Sequence, residues 1–326
     1  MNLGDIVLNL NGIPGVRPVP NGELGFLLTP DGAWQPNIGN FADEIELNCV
    51  KIHDLLAVKI FGSISVYYSH LESVHEIHCY AGLNSESRVN KTLFETCLTK
   101  VSNSEIDHML LYLYDCRKLV AGIQEGTKEV LYLMGEFYRS LNLDELFPQS
   151  SSDPDGLRYV TSPNVTKIHS FLGFIFIRLH SLLDYSTKLI FEVERMRISF
   201  IDYPNMTSKD VQFGDRKRLS VNNLKGSLFE KCASITEIEA ARNLIIHDGL
   251  LDDMPKVYRV IENGKVVEKY ILFPDVNESG RFERSRNRNL FFSLDDKINQ
   301  RLPAIIEEFH RRQIVTLVAV NEILAR

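Results

Sequence analysis

From Val165 to Leu183 apolar residues recur every three or four positions: Val165, Ile168, Phe171, Leu172, Ile175, Phe176, Leu179, Leu182 and Leu183. A stripe of that period and length commits the segment to a helix with one face covered by other apolar elements. Ser162-Pro163 supplies the start, because proline suits the first helical position, and the spacing predicts a helix reaching about Glu194.

The neighbouring segments follow suit. Residues 219–232 predict a shorter helix. Ser234-x-x-Glu237 and Thr236-x-x-Glu239 are overlapping capping boxes that open another, stopped by Gly249. Strands at 257–261 and 266–272 flank Asn263-Gly264, a strong hairpin signal. A last helix is expected over about 293–325, with Pro303 as a bend or restart. Upstream, residues 41–146 carry helical periodicity, and residues 1–40 are dense in Asn-Gly and Pro-Gly turns around short apolar pieces. The expected fold is mainly α, with a C-terminal antiparallel helix bundle carrying an inserted β-hairpin, an N-terminal helical region and a short turn- and strand-rich start. Its regions are a cap at 1–40, an acidic helical region at 41–147, a linker at 148–162 and the bundle at 163–326.

Composition narrows the function. Residues 1–150 hold 10 Lys and Arg against 19 Asp and Glu, a net of −9, leaving 26 against 24 for the remainder. The front half is a poor nucleic-acid binder, since phosphate contacts dominate that affinity. Basic surface can come only from the back half, where Arg216, Lys217 and Arg218, and the run holding Arg284 and Arg286, are the candidate RNA contacts. Apolar runs fall short of the ~20 residues that span a bilayer. The start lacks the charge and apolar core of a signal peptide. Five scattered cysteines without a CxxC pair fit reduced thiols, so the expected location is the cytoplasm, away from a membrane.

Functional side chains cluster most tightly in Ala241-Arg242-Asn243-Leu244-Ile245-Ile246-His247-Asp248-Gly249. A guanidinium can hold a phosphate with a fork of donors, and an imidazole can move a proton near neutral pH. Regular helix geometry sets the two apart, because five residues turn roughly 140° beyond a full circle at ~100° each. Either the helix end frays or a second chain supplies the missing half at a two-fold axis. A structural role is the competing account: Arg242 pairs with Glu239, His247 favours a helix C-terminus, and Asp248-Gly249 is a stop.

A long helix, a shorter one, and then Arg242-Asn243-x-x-x-His247 closing a helix before Gly249 resembles the HEPN family over about residues 163–326. The resemblance implies metal-independent RNA cleavage by a homodimer, often in a toxin or antiviral defence effector restrained by an antitoxin or other partner protein. Carried over, His247 is the general base or acid, Arg242 neutralises the phosphate and Asn243 orients His247 or binds phosphate. Asp184, Glu239 and Asp248 are the supporting carboxylates. No cofactor and no metal are expected. The alternative is a catalytically inactive HEPN-like module that binds RNA, nucleotide or protein.

Other patterns are weaker. His53, His70, His75, His78 and Cys79 lie close in sequence, but without CxxC or HExxH a zinc site is not expected. Asp153-Pro154-Asp155 falls in the linker and reads as a turn. Neither GxGxxG, GKS/GKT nor GxSxG occurs, so the sequence offers no nucleotide-phosphate cradle or serine nucleophile elbow.

Overall fold

The stripe after Pro163 is buried in the computed structural model as its period requires. Every member except Phe171 is buried, and Ser162 Oγ caps the helix start by accepting from the Val165 amide at 3.2 Å. The structure describes residues 3–74, 76–100, 105–146, 154–197, 199–202, 205–288 and 290–326. About 54% of the chain is helical, with two small antiparallel sheets, so the fold is mainly α.

The elements in order are β1 (Ile6–Asn9), β2 (Gly15–Val16), β3 (Gly25–Leu28), β4 (Trp34–Pro36), α1 (Ala42–Phe61), α2 (Ile64–Leu71), α3 (Glu76–Tyr80), α4 (Lys91–Lys100), α5 (Glu105–Leu143), β5 (Gly156–Val160), α6 (Pro163–Glu194), a 3-10 turn (Phe213–Arg218), α7 (Ala233–Asn243), a π turn (Leu244–Asp248), β6 (Val257–Glu262), β7 (Lys265–Tyr270) and α8 (Ile298–Ala325). They form two compact units that interleave in sequence. One comprises Met1–Ala42, Gly126–Ser181 and Lys231–Arg311; the other comprises Asp43–Glu125, Leu182–Glu230 and Arg312–Arg326. Consecutive divisions at 1–40, 41–147, 148–162 and 163–326 therefore cut across both units, and α5, α6 and α8 contribute residues to each.

The first unit holds both sheets, ordered β2-β1-β3-β4 and β5-β6-β7. Asn263 and Gly264 adopt φ of 51° and 70°, the backbone a tight hairpin between β6 and β7 requires. Asp155 fastens that turn, its carboxylate accepting from the amides of Asn263 and Gly264 at 2.9 Å each. Asp155 is thus a turn cap; Asp153 lies outside the described residues. The expected linker also contains β5, which pairs with β6 along its whole length. Asn299 of α8 ties the unit together: its Oδ1 accepts from Ile271 N at 3.0 Å, its Nδ2 donates to Leu10 O at 2.6 Å, and its carbonyl accepts from the Tyr138 hydroxyl.

The second unit is built around Glu192, whose buried carboxylate accepts from the Tyr112 hydroxyl at 2.6 Å, Thr207 Oγ1 at 3.0 Å and Ser208 N at 2.9 Å. Satisfying a buried carboxylate so fully offsets its desolvation. The helix expected at 219–232 is replaced by turns. Asn223 and Gly226 take φ of 63° and 76°, which breaks the helical path while Leu219, Leu228 and Phe229 still bury. The last helix starts at Ile298, not near 293, and Pro303 lies inside it. Among the described residues, no helix is long and apolar enough to cross a membrane.

Candidate active site

Helix α7 is held by the buried side chains of Ile235, Ile238 and Ala241. The capping boxes expected at its start do not form. Cys232 is the N-cap but makes no side-chain capping bond, Thr236 Oγ1 donates to Cys232 O at 2.9 Å, and Glu237 turns inward to Arg301. Arg301 also pairs with Asp296 at 2.5 Å, so one guanidinium bridges two carboxylates. Burial raises the pKa of both Glu237 and Asp296, with Arg301 pulling the other way.

Beyond Asn243 the hydrogen-bond ladder changes. Gly249 N bonds to Leu244 O, five residues back, at 2.9 Å, closing a single π turn. Two consecutive β-branched residues, Ile245 and Ile246, stand within it, and Gly249 ends it with φ 128° and ψ −129°, a conformation essentially restricted to glycine. A π turn takes up about one more residue than an α turn, so residues five apart come onto one face.

That change settles the angular conflict between Arg242 and His247 within one chain. Arg242 Nη1 donates to Asn243 Oδ1 at 3.0 Å and lies 3.3 Å from His247 Nε2. A guanidinium can only donate, so Nε2 is the acceptor in this contact. Asn243 and His247 are exposed, and Arg242 is half-buried. The three motif residues thus meet at the surface, with a lone pair and a fixed cation side by side.

A cleft of about 610 Å³ opens beside Asn243, and neither Arg242 nor His247 lines it. Thr236, Glu239, Asn243 and Asp248 line it from α7 and the π turn; Asn277, Arg281, Phe282, Glu283 and Arg284 line it from a loop. It gathers Glu239, Asp248 and Arg284 next to Asn243. The remaining candidates lie elsewhere. Asp184 accepts from Phe213 N at 2.8 Å and so caps the 3-10 turn. Arg216 stacks on Phe213 and Arg218 on Phe191, their guanidinium carbons 4.0 and 4.9 Å from the ring centres, while Lys217 is exposed. Arg286 is exposed, with φ of 56°.

Arg301, the buttress of α7, and the π turn itself were missed by sequence reasoning. The only available signals were an inward-facing Glu237 on an amphipathic helix and the Ile-Ile pair before Gly249. Of the histidine cluster, His53 Nε2 lies 3.4 Å from Gln124 Oε1 and His70 Nε2 lies 3.7 Å from Asp107. His75 and the side chain of His78 fall outside the described residues. Among the described residues, no group of three His, Cys, Asp or Glu is placed to hold a metal ion. The chain matches no family model, no curated protein and no solved structure.

Proposed function

We propose that this chain is a HEPN-like endoribonuclease that cleaves RNA without a metal and works as a homodimer. The observation that carries the reading is the 3.3 Å approach of Arg242 Nη1 to His247 Nε2 on an exposed helix end, with Asn243 on the same guanidinium. An RNA phosphate offers Arg242 a better partner than a neutral imidazole, because charge-assisted hydrogen bonds are stronger. Moving the guanidinium onto the phosphate frees Nε2 to take the 2′-hydroxyl proton. The 2′-oxygen then attacks the adjacent phosphorus, the bond to the 5′-oxygen breaks, and the leaving oxygen takes its proton from the His247 of a second copy in its imidazolium form. Arg242 meets the charge developing on phosphorus. The products are a 2′,3′-cyclic phosphate and a 5′-hydroxyl, and DNA is spared because it lacks the attacking group.

A homodimer is supported by the apolar residues beside the motif. Phe174, Ile246, Leu250 and Met254 are 57%, 49%, 57% and 49% exposed. Phe174 and Leu250 line one groove, and apolar exposure of this kind marks an interaction surface. Within this reading, a toxin or defence effector held in check by a protein partner accounts for a nuclease whose host survives it. A second reading, an RNA- or protein-binding module without catalysis, is favoured by the carboxylates of Glu239, Asp248 and Glu283 around the cleft.

The test is incubation of purified protein with single-stranded RNA in EDTA, followed by end-group analysis. Wild type is expected to give cyclic phosphate ends, and Arg242→Ala or His247→Ala to cut about 10²–10⁴-fold more slowly. Cleavage by His247→Ala at the wild-type rate ends the nuclease reading; RNA binding without new ends moves it to the second. Induced expression that arrests growth only with both residues intact supports the effector role.

A further inference from the structure

The loop facing α7 is built to hold two arginines still. Asn277 Oδ1 accepts from Ser279 N at 3.0 Å, Ser279 Oγ at 2.7 Å and Arg281 N at 3.2 Å, and Glu283 N bonds to Asp275 O at 2.8 Å. Phe282 is buried at 5% exposure with its ring centre 6.0 Å from that of Phe273, anchoring the loop in the core. Gly280 lies so close to α7 that a Cβ there would come within 2.0 Å of the Ala233 carbonyl. Arg281 and Arg284 flank the anchor and line the cleft that Asn243 lines from the other side.

Several arginines of this chain are engaged: Arg139, Arg178, Arg301, Arg311 and Arg312 all pair with carboxylates. Among the described residues, neither the Arg281 nor the Arg284 guanidinium has a hydrogen-bond or ion-pair partner, although Glu239, Asp248 and Glu283 line the same cleft. Two unpaired forks on a fixed loop suit a phosphate. The carboxylates repel a long polyanion, yet those of Asp248 and Glu283 can accept from the N–H groups of a base. A nucleotide has both ends, one anionic and one bearing donors.

We infer that this cleft seats the RNA nucleotide flanking the scissile linkage, with Arg281 and Arg284 gripping its phosphate. The inference rests on the ribonuclease reading of Arg242 and His247 for the identity of the ligand, and its test reads binding in the absence of cleavage. In His247→Ala, binding of a fluorescent single-stranded RNA is followed by anisotropy across a KCl series. Adding Arg281→Ala and Arg284→Ala should weaken binding about tenfold or more at low salt. The slope of log affinity against log salt should fall by about 0.7, since each phosphate neutralised on a single strand contributes about 0.7. Lys91→Ala, on an exposed helix of the other unit, is the charge control and should leave the slope unchanged. An unaltered slope in the double variant, an equal loss in the Lys91 control, or no RNA binding by the His247→Ala parent overturns the inference. Cleavage that depends on His247 beside an unaltered slope would leave the nuclease standing without this cleft. The reverse pattern, the expected slope change with no cleavage by wild type, would keep the cleft and remove the nuclease.

Discussion

Arg242 Nη1 and His247 Nε2 lie 3.3 Å apart, with the π turn from Leu244 to Asp248 providing the rotation that brings them together. In a continuous α-helix the two would diverge by roughly 140°. The turn thus brings the pair together, and a glycine ends it. Gly249 bonds back to Leu244 O through its amide and then turns the chain away with φ 128° and ψ −129°, which only glycine readily takes.

Gly249→Ala is therefore expected to cost about 1–3 kcal/mol in urea unfolding, the usual penalty for a side chain forced into a glycine-only region. If the ladder slips to α geometry to relieve the strain, Arg242 and His247 separate and RNA cleavage falls with it. The His247 ring signals in an NMR spectrum should move in the same variant. Unchanged stability together with unchanged ring signals would show that the π turn does not depend on Gly249.

How much of this was legible in the sequence depends on how local each signal was. The α6 helix, its Ser162-Pro163 start and the Asn263-Gly264 hairpin follow from residues within one turn of each other, and the structure keeps all three. Strand β5 was invisible because four of its five residues are exposed; it exists through its pairing with β6 a hundred residues away. The helix expected at 219–232 does not form because Asn223 and Gly226 take the positive φ of turns. Glu237 looked like a capping residue because the motif records spacing and not the Arg301 that draws the carboxylate inward. The motif residues themselves could be picked out, but their apposition could not, since one shifted hydrogen bond separates a π turn from an α turn.

His310 gives a pH dependence of known sign. It is fully buried on α8, neither ring nitrogen has a hydrogen-bond partner, and burial pushes its pKa down from 6.5 to about 4. The folded state then binds fewer protons than the unfolded state between those values, so stability is present above about pH 6.5 and is lost as pH falls toward 4. The loss attributable to this group is at most about 3 kcal/mol. Burial also lowers the pKa of His53 and His169, which adds in the same direction. The urea midpoint should therefore fall less between pH 7 and pH 5 in His310→Leu than in wild type. A wild-type-sized acid loss in His310→Leu would assign the whole effect to the other groups.

Gly280→Ala tests whether the cleft depends on the loop's seat against α7. The φ of 81° disfavours any side chain, and the added Cβ would meet the Ala233 backbone, which cannot swing aside as a side chain would. The expected result is a destabilisation of about 1–3 kcal/mol with weaker RNA binding, because the arginines beside Phe282 move with the loop. Wild-type stability would mean that the loop and the start of α7 separate at little cost.

Arg301 is the last position where one change should have a large effect. Its guanidinium joins Glu237 of α7 to Asp296, and both carboxylates are drawn away from water, as their raised pKa values report. Arg301→Met leaves two partly buried carboxylates facing each other without a cation. Breaking a buried pair costs about 3–5 kcal/mol; with 31% of the Arg301 side chain still exposed, about 2–4 kcal/mol is expected here. The sign with pH then separates charge from packing. The variant's carboxylates gain most from protonation, so its stability deficit should shrink as pH drops from 7 toward 5, whereas a loss of packing alone would be the same at both. Adding Glu237→Gln to Arg301→Met removes one of the stranded charges and should recover part of the urea midpoint. No recovery at pH 7 would mean that Arg301 supports α7 through its aliphatic stem and not through the carboxylates it bridges.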